Sequence, residues 1–321
     1  MARVALVGAG SMGSNHARVL RSLPDVALTH VVDADPARGW AVAEQCGAAY
    51  AARVEDVLCV VDAAVVAVPT QHHLEVGTAL LRAGVHVLME KPIAAGVDEG
   101  TALVREAERA GVTLMVGHVE RFNPAVLDLD GVVTDPLHIE CKRLSPYTPR
   151  IADGVIKDLM IHDLDLVLAL TDSPVASVSA VSRRLRSATE DHASVLMRFE
   201  GGTTATLTAS RVGQQKIRQI EVVQPENFVH VDLLRQDISI HRVESAEFSP
   251  GGGYTQTGVV QIPLLRHRGE PLALELSHFL ECVRTGARPR VGGEDGLRAL
   301  ELAVRLTEAA DASVPAAVAR A

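Results

Sequence analysis

Val4-Ala5-Leu6-Val7-Gly8-Ala9-Gly10-Ser11-Met12-Gly13 opens the chain with a short apolar run and a glycine-rich turn. The run predicts a strand, and the residues from Ser11 onward have helical spacing. A G-x-G-x-x-G turn between a strand and a helix is typical of a dinucleotide-binding domain. Its glycines permit a tight turn, close approach of the backbone to a pyrophosphate, and close helix packing. We therefore expect Gly8, Gly10, Ser11, Met12 and Gly13 to contact the phosphates of a dinucleotide at the helix N-terminus.

An acidic residue is expected about 20 positions after such a turn, at the end of the second strand. Asp33 ends the apolar run Val31-Val32-Asp33, twenty positions after Gly13. Its carboxylate would accept hydrogen bonds from the ribose hydroxyls and repel a 2′-phosphate, which favours NAD over NADP. Arg38 follows a few positions later as a further cofactor residue and could weaken that preference, so NADP stays open.

The two parts of the chain carry different patterns. Up to about Gly117, apolar runs at residues 4–7, 27–32, 63–68, 85–89 and 113–116 alternate with helical spacing. This alternation predicts a parallel sheet with helical crossovers. Later segments alternate apolar and polar residues between Gly-Gly and Asn turns, which predicts a mostly antiparallel sheet. We expect an α/β fold with a doubly wound Rossmann domain at residues 1–118 and a substrate-binding and oligomerisation α/β domain at 119–321.

Composition narrows the possible functions. A chain of 321 residues suggests two domains, and 47% hydrophobic with 22% charged residues is ordinary for a globular protein. A net charge of −9 argues against nucleic-acid binding. The four scattered cysteines fit a reduced compartment and predict no zinc cluster. The first residues run straight into a strand, and no apolar run is long enough for a bilayer. We therefore expect a cytoplasmic protein with no membrane span and no metal.

A Glu90-Lys91-Pro92 motif follows the fifth predicted strand. With the segment from Val66 to His73, it resembles the glucose-fructose oxidoreductase/inositol dehydrogenase family (Gfo/Idh/MocA), and the resemblance covers nearly the whole chain. It implies that Lys91 lies beside the nicotinamide and the substrate hydroxyl. It also implies that Pro69, Thr70, His73 and Glu90 line the cofactor.

Asp158 and His162 are four residues apart on a predicted helix over residues 153–170 and therefore share one of its faces. This spacing resembles the family's Asp-x-x-x-His motif, which implies that both residues are catalytic. Histidine titrates near neutral pH and suits the removal of a hydroxyl proton. Lys91 could take that proton instead, and the sequence leaves the two roles open. Asp163 points about a hundred degrees away from His162, which disfavours a metal site.

The segment from Val116 to Pro124 resembles the part of the family that oxidises the 3-hydroxyl of UDP-N-acetylglucosamine. A nucleotide sugar needs cations for its diphosphate, and guanidinium groups match phosphate oxygens well. The expected substrate residues are Arg121, Asn123, Arg143, Arg150, Asp158, His162 and Arg211, with Lys216 and Arg218 as further cations.

Other functions stay open at this point. One is a dehydrogenase of the same family that acts on myo-inositol or another free sugar. A second is a regulator of the same fold that senses a nucleotide without catalysis. A third is an enzyme of the fold that acts on an imine or a dihydrodiol. Because an open sheet needs its outer face covered, we also expect a homodimer or homotetramer that pairs through the second sheet.

Overall fold

The computed structural model describes residues 1–24, 26–148, 153–248 and 251–312. They form two compact units. The first unit comprises Met1–Phe122 and Gly269–Glu301. The second comprises Asn123–Arg268 and the described residues after Glu301.

The first unit contains a six-stranded sheet with the strand order β3-β2-β1-β4-β5-β6. All its neighbouring strands are parallel. Its strands are β1 (Ala2–Val7), β2 (Val26–Val32), β3 (Ala49–Ala51), β4 (Ala63–Val66), β5 (His86–Glu90) and β6 (Leu114–Gly117). This is the order of a doubly wound Rossmann fold, so the prediction for the first part of the chain is confirmed.

Helices connect the strands and complete both units. They are α1 (Ser11–Leu20), α2 (Pro36–Cys46), α3 (His73–Arg82), α4 (Val97–Ala110), α5 (Pro124–Leu127), α6 (Ile161–Thr171), α7 (Pro271–Thr285) and α8 (Gly293–Ala312). The ends of α2 show why the sequence places a helix there. The Asp35 carboxylate accepts hydrogen bonds from the N–H groups of Ala37 and Arg38, and Pro36 occupies the first turn. Gly47 ends the helix in a left-handed conformation.

The strands β1 and β4 form the centre of the first sheet. All four residues of β4 and the last four of β1 are buried. Continuous burial is expected of parallel strands covered by helices on both faces. The strand order reverses between β1 and β4, and ligands bind at the carboxyl ends of the strands at such a switch point. The glycine turn follows β1 at this edge.

The second unit contains an eight-stranded sheet with the order β14-β13-β12-β11-β7-β10-β9-β8. Only β7 and β10 pair in parallel, so the prediction of a mostly antiparallel sheet is confirmed. Its strands are β7 (His138–Leu144), β8 (Val175–Arg183), β9 (His192–Phe199), β10 (Thr204–Ser210), β11 (Ile217–Val223), β12 (Phe228–Asp232), β13 (Asp237–Phe248) and β14 (Tyr254–Gln261).

Sequence reasoning did not predict two strands of this sheet. In β7, which lies between β10 and β11, one of the alternating buried positions holds a charged residue, Arg143. Because charged residues are rarely buried, Arg143 interrupts the expected alternation of apolar and polar residues, and the segment is not predicted as a half-buried strand. Nearly all residues of β14 are exposed, so hydrophobic alternation carries no signal there.

The helix expected over residues 153–170 starts later and has two parts. Ile156–Met160 forms a π-helical turn, and α6 follows directly. The preceding Gly154 lies under the Glu190 side chain, where a Cβ atom would be only 1.9 Å from a carboxylate oxygen. This close contact holds the chain in place before the helical segment begins. Single π-helical turns are rare in proteins, and those that occur are often found at functional sites.

Among the described residues, no helix combines the length and apolar character required to cross a bilayer. All four cysteines are free thiols.

Candidate functional site

The glycine turn after β1 leaves no room for side chains at two positions and open space at a third. Gly8 has a positive φ of 95°, and a Cβ atom there would lie 2.6 Å from the carbonyl oxygen of Ala67. A Cβ atom at Gly13 would lie 1.9 Å from the carbonyl oxygen of Gly8. A Cβ atom at Gly10 would meet nothing within 4 Å. Gly8 and Gly13 therefore serve packing, while Gly10 borders free space.

That free space lies at the N-terminus of α1. Gly10 occupies the N-cap position and supplies no side-chain cap, and the first turn contains no acidic residue. Ser11 and Met12 are exposed in this turn. A helix N-terminus without a capping side chain offers its N–H groups and the positive end of its dipole to an anion. These residues fit the pyrophosphate of a dinucleotide.

Asp33 lies directly after β2 and binds the glycine turn. Its Oδ2 accepts hydrogen bonds from the Ala9 N–H at 2.7 Å and from Arg38 Nε at 3.0 Å. Its Oδ1 accepts from the Asp35 N–H at 2.8 Å and from Arg38 Nη2 at 2.7 Å. Burial alone would raise the pKa of this carboxyl, but the Arg38 guanidinium and the two backbone donors hold it below its ordinary value. Asp33 is thus an ionised carboxylate with four donors.

The chain's single tryptophan lies beside this carboxylate. The exposed Trp40 packs on Tyr50 with ring centroids 5.2 Å apart, and the Tyr50 hydroxyl donates to the Asp33 carbonyl oxygen at 3.0 Å. Gly39 permits this packing, because a Cβ atom there would lie 2.5 Å from the Tyr50 ring. Tryptophan fluorescence is therefore a local probe of the Asp33 site.

The loops after β4 and β5 are joined by His73. Its ring is buried, with Nε2 3.1 Å from the Val68 carbonyl oxygen and Nδ1 3.0 Å from that of Pro92. Burial lowers the pKa of His73 and favours the neutral ring. Pro69 occupies the N-cap position of the short helical turn that starts at Thr70; Pro69 is exposed and Thr70 is half-buried. The structure therefore gives His73 a role in holding the two loops together.

Glu90 holds the turn that carries Lys91. One oxygen of its carboxylate lies 2.7 Å from Nε2 of His16 on α1, and the other accepts the Lys91 N–H at 3.2 Å. The Lys91–Pro92 peptide bond is cis. A Cβ atom at Gly117 would lie 3.4 Å from the Glu90 carboxyl carbon, so a glycine on β6 makes room for this carboxylate. Sequence reasoning named Glu90 and missed His16.

Glu275 on α7 was also missed. It is fully buried, and neither of its carboxyl oxygens has a hydrogen-bond partner among the described residues. Burial, and then the neighbouring charge of Glu90, raise the pKa of Glu275 well above its ordinary value. Both effects favour the neutral carboxylic acid form of Glu275. The sequence of α7 gives no sign that Glu275 is buried, because glutamates in helices are usually exposed.

In the second unit, Asp158 lies in the π-helical turn and His162 in the first turn of α6, both half-buried. The next residue, Asp163, is buried and forms a bidentate ion pair with Arg143 of β7. Arg143 Nη2 lies 2.7 Å from Asp163 Oδ1, and Nε lies 3.0 Å from both carboxylate oxygens. Both side chains are about 3% exposed. This pair fixes the turn that carries His162 to the sheet.

A second buried pair holds the chain before Asp158. Arg211 Nε lies 2.8 Å from Asp191 Oδ1, and Arg211 Nη1 donates to the Asp153 carbonyl oxygen at 2.6 Å. Burial alone would raise the pKa of Asp191, but the Arg186 N–H, the Ser187 hydroxyl and other donors lower it strongly. Arg143 and Arg211 were expected to bind substrate. Their geometry gives both a structural role, and direct contact with a diphosphate stays a prediction.

Three further residues, Arg121, Asn123 and Arg150, were expected to bind the substrate. Arg121 Nη2 donates to the Arg290 carbonyl oxygen at 3.3 Å. Asn123 is buried, caps α5 through the Ala125 N–H at 3.1 Å and donates to the Leu233 carbonyl oxygen at 3.0 Å. Arg150 lies outside the described residues. Among the described residues, no group of three or more metal-binding side chains is arranged to hold an ion.

Comparison with known protein families gives two matches. A model described as "Oxidoreductase family, NAD-binding Rossmann fold" matches residues 2–118. A model described as "GFO/IDH/MocA C-terminal domain" matches residues 128–226. The two matches cover the parts of the chain that form the glycine turn and the Asp158–His162 segment.

Curated relatives match over most of the chain. A UDP-N-acetylglucosamine 3-dehydrogenase from Acidithiobacillus ferrooxidans is 31% identical over 312 residues, which cover 97% of both chains. A solved structure of the enzyme with this name from the same species has a TM-score of 0.89 and covers 97% of this chain and 98% of its own. An inositol 2-dehydrogenase from Rhizobium meliloti is 28% identical over 323 residues, 94% of each chain.

The different crowding around Gly10 and Gly13 leads to a first prediction. Gly13→Ala places a methyl group against backbone, so we expect a loss of about 1–3 kcal/mol in the free energy of unfolding. Gly10→Ala should leave stability nearly unchanged but weaken NAD binding, because the methyl group enters the free space over the helix N-terminus. Urea unfolding and NAD titration measure the two effects. Equal destabilisation by both substitutions would contradict this division of roles.

Glu275 leads to a second prediction. In the unfolded chain a glutamate ionises at a pKa of about 4.3, whereas the raised folded pKa keeps Glu275 protonated to higher pH. Wild-type stability relative to Glu275→Gln should therefore fall by about 1.4 kcal/mol per pH unit above that value, until the folded carboxyl ionises. Urea unfolding at several pH values tests this. The control is Glu281→Gln on the same helix, where the side chain is 53% exposed. A stability difference that does not change with pH would show that Glu275 is ionised in the fold.

Proposed function

The chain belongs to the Gfo/Idh/MocA family of NAD-binding oxidoreductases, and on that premise we propose that it oxidises the 3-hydroxyl of UDP-N-acetylglucosamine or a related nucleotide sugar. It is an NAD-dependent sugar dehydrogenase. The observation that supports the nucleotide sugar is the 31% identity to a UDP-N-acetylglucosamine 3-dehydrogenase over 97% of both chains. Oxidation of myo-inositol or another free sugar is the second candidate, favoured by inositol dehydrogenases that are 28% identical over most of the chain.

The proposed reaction converts a secondary alcohol and NAD⁺ into a ketone, NADH and a proton. Bound NAD supplies the acceptor for the hydride that leaves the carbon. The protein must then remove the hydroxyl proton and stabilise the charge that develops on oxygen. We propose that His162 takes the proton and Lys91 donates a hydrogen bond to the reacting oxygen. Asp158 orients the imidazole or accepts a hydrogen bond from a neighbouring hydroxyl.

The roles of Lys91 and His162 can be exchanged, since a lysine amine can also act as a base. Local order supports both residues as parts of a site. The Glu90 carboxylate holds the Lys91 backbone, and the Arg143–Asp163 pair holds the turn of His162. Because the backbone at both residues is already ordered, less of the chain has to be ordered when a substrate binds.

Recognition of the diphosphate needs cations that a ligand can reach from solvent. Arg143 and Arg211 are buried in ion pairs, whereas Lys216 is exposed and Arg218 is half-buried on β11. We therefore favour Lys216 and Arg218 for the phosphates, with Arg121, Asn123, Arg143, Arg150 and Arg211 as the other substrate residues of the proposal.

Several broader features belong to the same proposal. Residues 1–118 would form the NAD-binding domain and 119–321 the substrate-binding and oligomerisation domain, in a cytoplasmic protein. Val181 of β8 and Leu196 of β9 are large apolar side chains that are more than half exposed. Apolar side chains on a sheet face favour a homodimer or homotetramer that pairs through this sheet.

The substrate prediction is tested by NADH formation with a panel of UDP-N-acetylglucosamine, other UDP-sugars, myo-inositol and glucose. We expect the highest kcat/KM with UDP-N-acetylglucosamine. With deuterium on C3 of the glucosamine ring, the label should be transferred to the nicotinamide and slow the reaction. Turnover of free polyols alone would reject the nucleotide sugar. Transfer of hydrogen from another carbon would reject only the 3-hydroxyl.

The catalytic prediction concerns His162→Gln and Lys91→Met. Each should lower kcat by about 10² to 10⁴, because each removes a group that exchanges a proton or a hydrogen bond with the reacting oxygen. NAD binding, followed by Trp40 fluorescence, should persist in His162→Gln.

Matched controls are His241→Gln and Lys142→Met, which change exposed or partly exposed side chains of β13 and β7. Both should leave kcat close to that of the wild type. Near-normal turnover of His162→Gln together with a large loss in Lys91→Met would assign the base to Lys91. Near-normal turnover of both variants would remove these residues from the mechanism.

A further inference from the structure

Three titratable side chains are buried around the end of β5 in the first unit. Glu90 is the last residue of β5, His16 lies on α1, and Glu275 lies on α7. His16 and Glu275 are fully buried, and Glu90 is 9% exposed. Since α7 packs against α1, residues that are far apart along the chain share one interior site. We call these three residues the Glu90 cluster.

The hydrogen bonds of the Glu90 cluster are unequally distributed. The ring Nε2 of His16 lies 2.7 Å from Glu90 Oε1 and must carry a proton there, because an ionised carboxylate only accepts. The Lys91 N–H donates to Glu90 Oε2 at 3.2 Å. Neither carboxyl oxygen of Glu275 has a hydrogen-bond partner among the described residues. A negative charge is therefore more favourable on Glu90 than on Glu275.

Other titratable and charged groups lie on the elements around the cluster. α7 packs against α1 and against the short turn at residues 119–122, and α3 packs against β5. Burial raises the pKa of Glu275, and among the described groups around it Glu90 supplies the charge that raises it further. The groups on these elements are His16 and Arg18 on α1, His73 on α3, Glu120 and Arg121 in the turn, and His278 on α7 itself.

We propose that Glu275 and His16 are positioning residues of the dehydrogenase, which keep a single negative charge on Glu90 and so hold the Lys91 turn in place. Two carboxylates in one buried site repel each other when both are ionised. Ionisation of Glu275 at high pH would displace Glu90 and release the Lys91 N–H. The cluster thus sets an upper pH limit for the ordered turn. The inference rests on the role of Lys91 in the proposed function.

Kinetics alone cannot assign this limit, because ionisation of the Lys91 amine would also lower kcat at high pH. The turn is therefore measured directly, in full-length protein with NAD and without sugar, at a series of pH values. Amide hydrogen exchange at Lys91 reports whether Glu90 still accepts the N–H, and comparison of variants at equal pH cancels the intrinsic pH dependence of exchange. The infrared C=O stretch of a protonated carboxyl reports the proton on Glu275.

The variant Glu275→Gln keeps the size of the side chain and cannot ionise. Wild-type protein should show a protonated-carboxyl band at neutral pH that Glu275→Gln lacks. As this band disappears with rising pH, exchange at Lys91 should become about tenfold faster in the wild type than in Glu275→Gln, the effect of one lost charge-assisted hydrogen bond. The matched control Glu281→Gln changes a 53% exposed side chain of the same helix and should follow the wild type.

His16 is tested by two variants. His16→Leu removes a donor to Glu90 and should accelerate exchange at Lys91 about tenfold at neutral pH. His16→Gln can return an N–H to the carboxylate and should restore most of the protection. With a sugar that the enzyme oxidises, His16→Leu should lower kcat and leave KM nearly unchanged, because the cluster does not touch the substrate.

Four results would overturn the proposal. The first is a protonated-carboxyl band that is the same in wild type and Glu275→Gln. The second is a Glu275 band that persists until the protein unfolds. The third is equal exchange at Lys91 in wild type and Glu275→Gln while the band disappears. The fourth is an effect of Glu281→Gln as large as that of Glu275→Gln. Because these measurements contain no sugar, failure to oxidise any sugar would reject the proposed function and leave their outcome unchanged.

Discussion

The contact between the Gly8 carbonyl oxygen and Gly13 is the constraint on which the first unit depends. At Gly13 even a methyl group would lie 1.9 Å from that oxygen, so α1 starts directly against the end of β1. The loop is also confined by the end of β4, because a Cβ atom at Gly8 would lie 2.6 Å from the Ala67 carbonyl oxygen. The result is an α1 N-terminus that faces open space at Gly10 and a turn whose Ala9 N–H reaches Asp33. The close packing of α1 against the end of β1 therefore creates the open helix N-terminus at which we expect the cofactor to bind.

A different arrangement orders the Asp158–His162 segment of the second unit. The chain before Asp158 is held by Arg211 and Asp191, and the turn after His162 is held by Arg143 and Asp163. Buried ion pairs contribute little net stability, since desolvation offsets their attraction. Loss of one partner nevertheless costs about 3–5 kcal/mol, because a charge is left unpaired. The pairs therefore disfavour other placements of the segment, which suits a site that must hold side chains within a narrow range of positions.

The sequence predicts the features that follow from local rules. The glycine turn, Asp33, the parallel order of the first sheet and the antiparallel character of the second all rest on hydrophobic period, turn chemistry and motif spacing, and family resemblance added Lys91, Asp158 and His162. The sequence does not predict features that depend on contacts between residues far apart along the chain. Arg143 hides β7 because only the fold shows that its charge is neutralised by Asp163. Glu275 and His16 look like ordinary helix residues, and their burial beside Glu90 depends on how α7 and α1 pack.

Three Asp–Arg pairs have different consequences because their burial differs. In the pairs Arg143–Asp163 and Arg211–Asp191 both partners are almost fully buried, so neither charge can find water if the pair opens. Opening either pair costs several kcal/mol, and a few hydrogen bonds to a ligand would not offset that free energy. In the Asp33–Arg38 pair the guanidinium already faces solvent, and exposed pairs contribute only about 0–1 kcal/mol. Burial of the arginine thus separates the two carboxylates that are fixed parts of the fold from Asp33, whose arginine partner faces solvent.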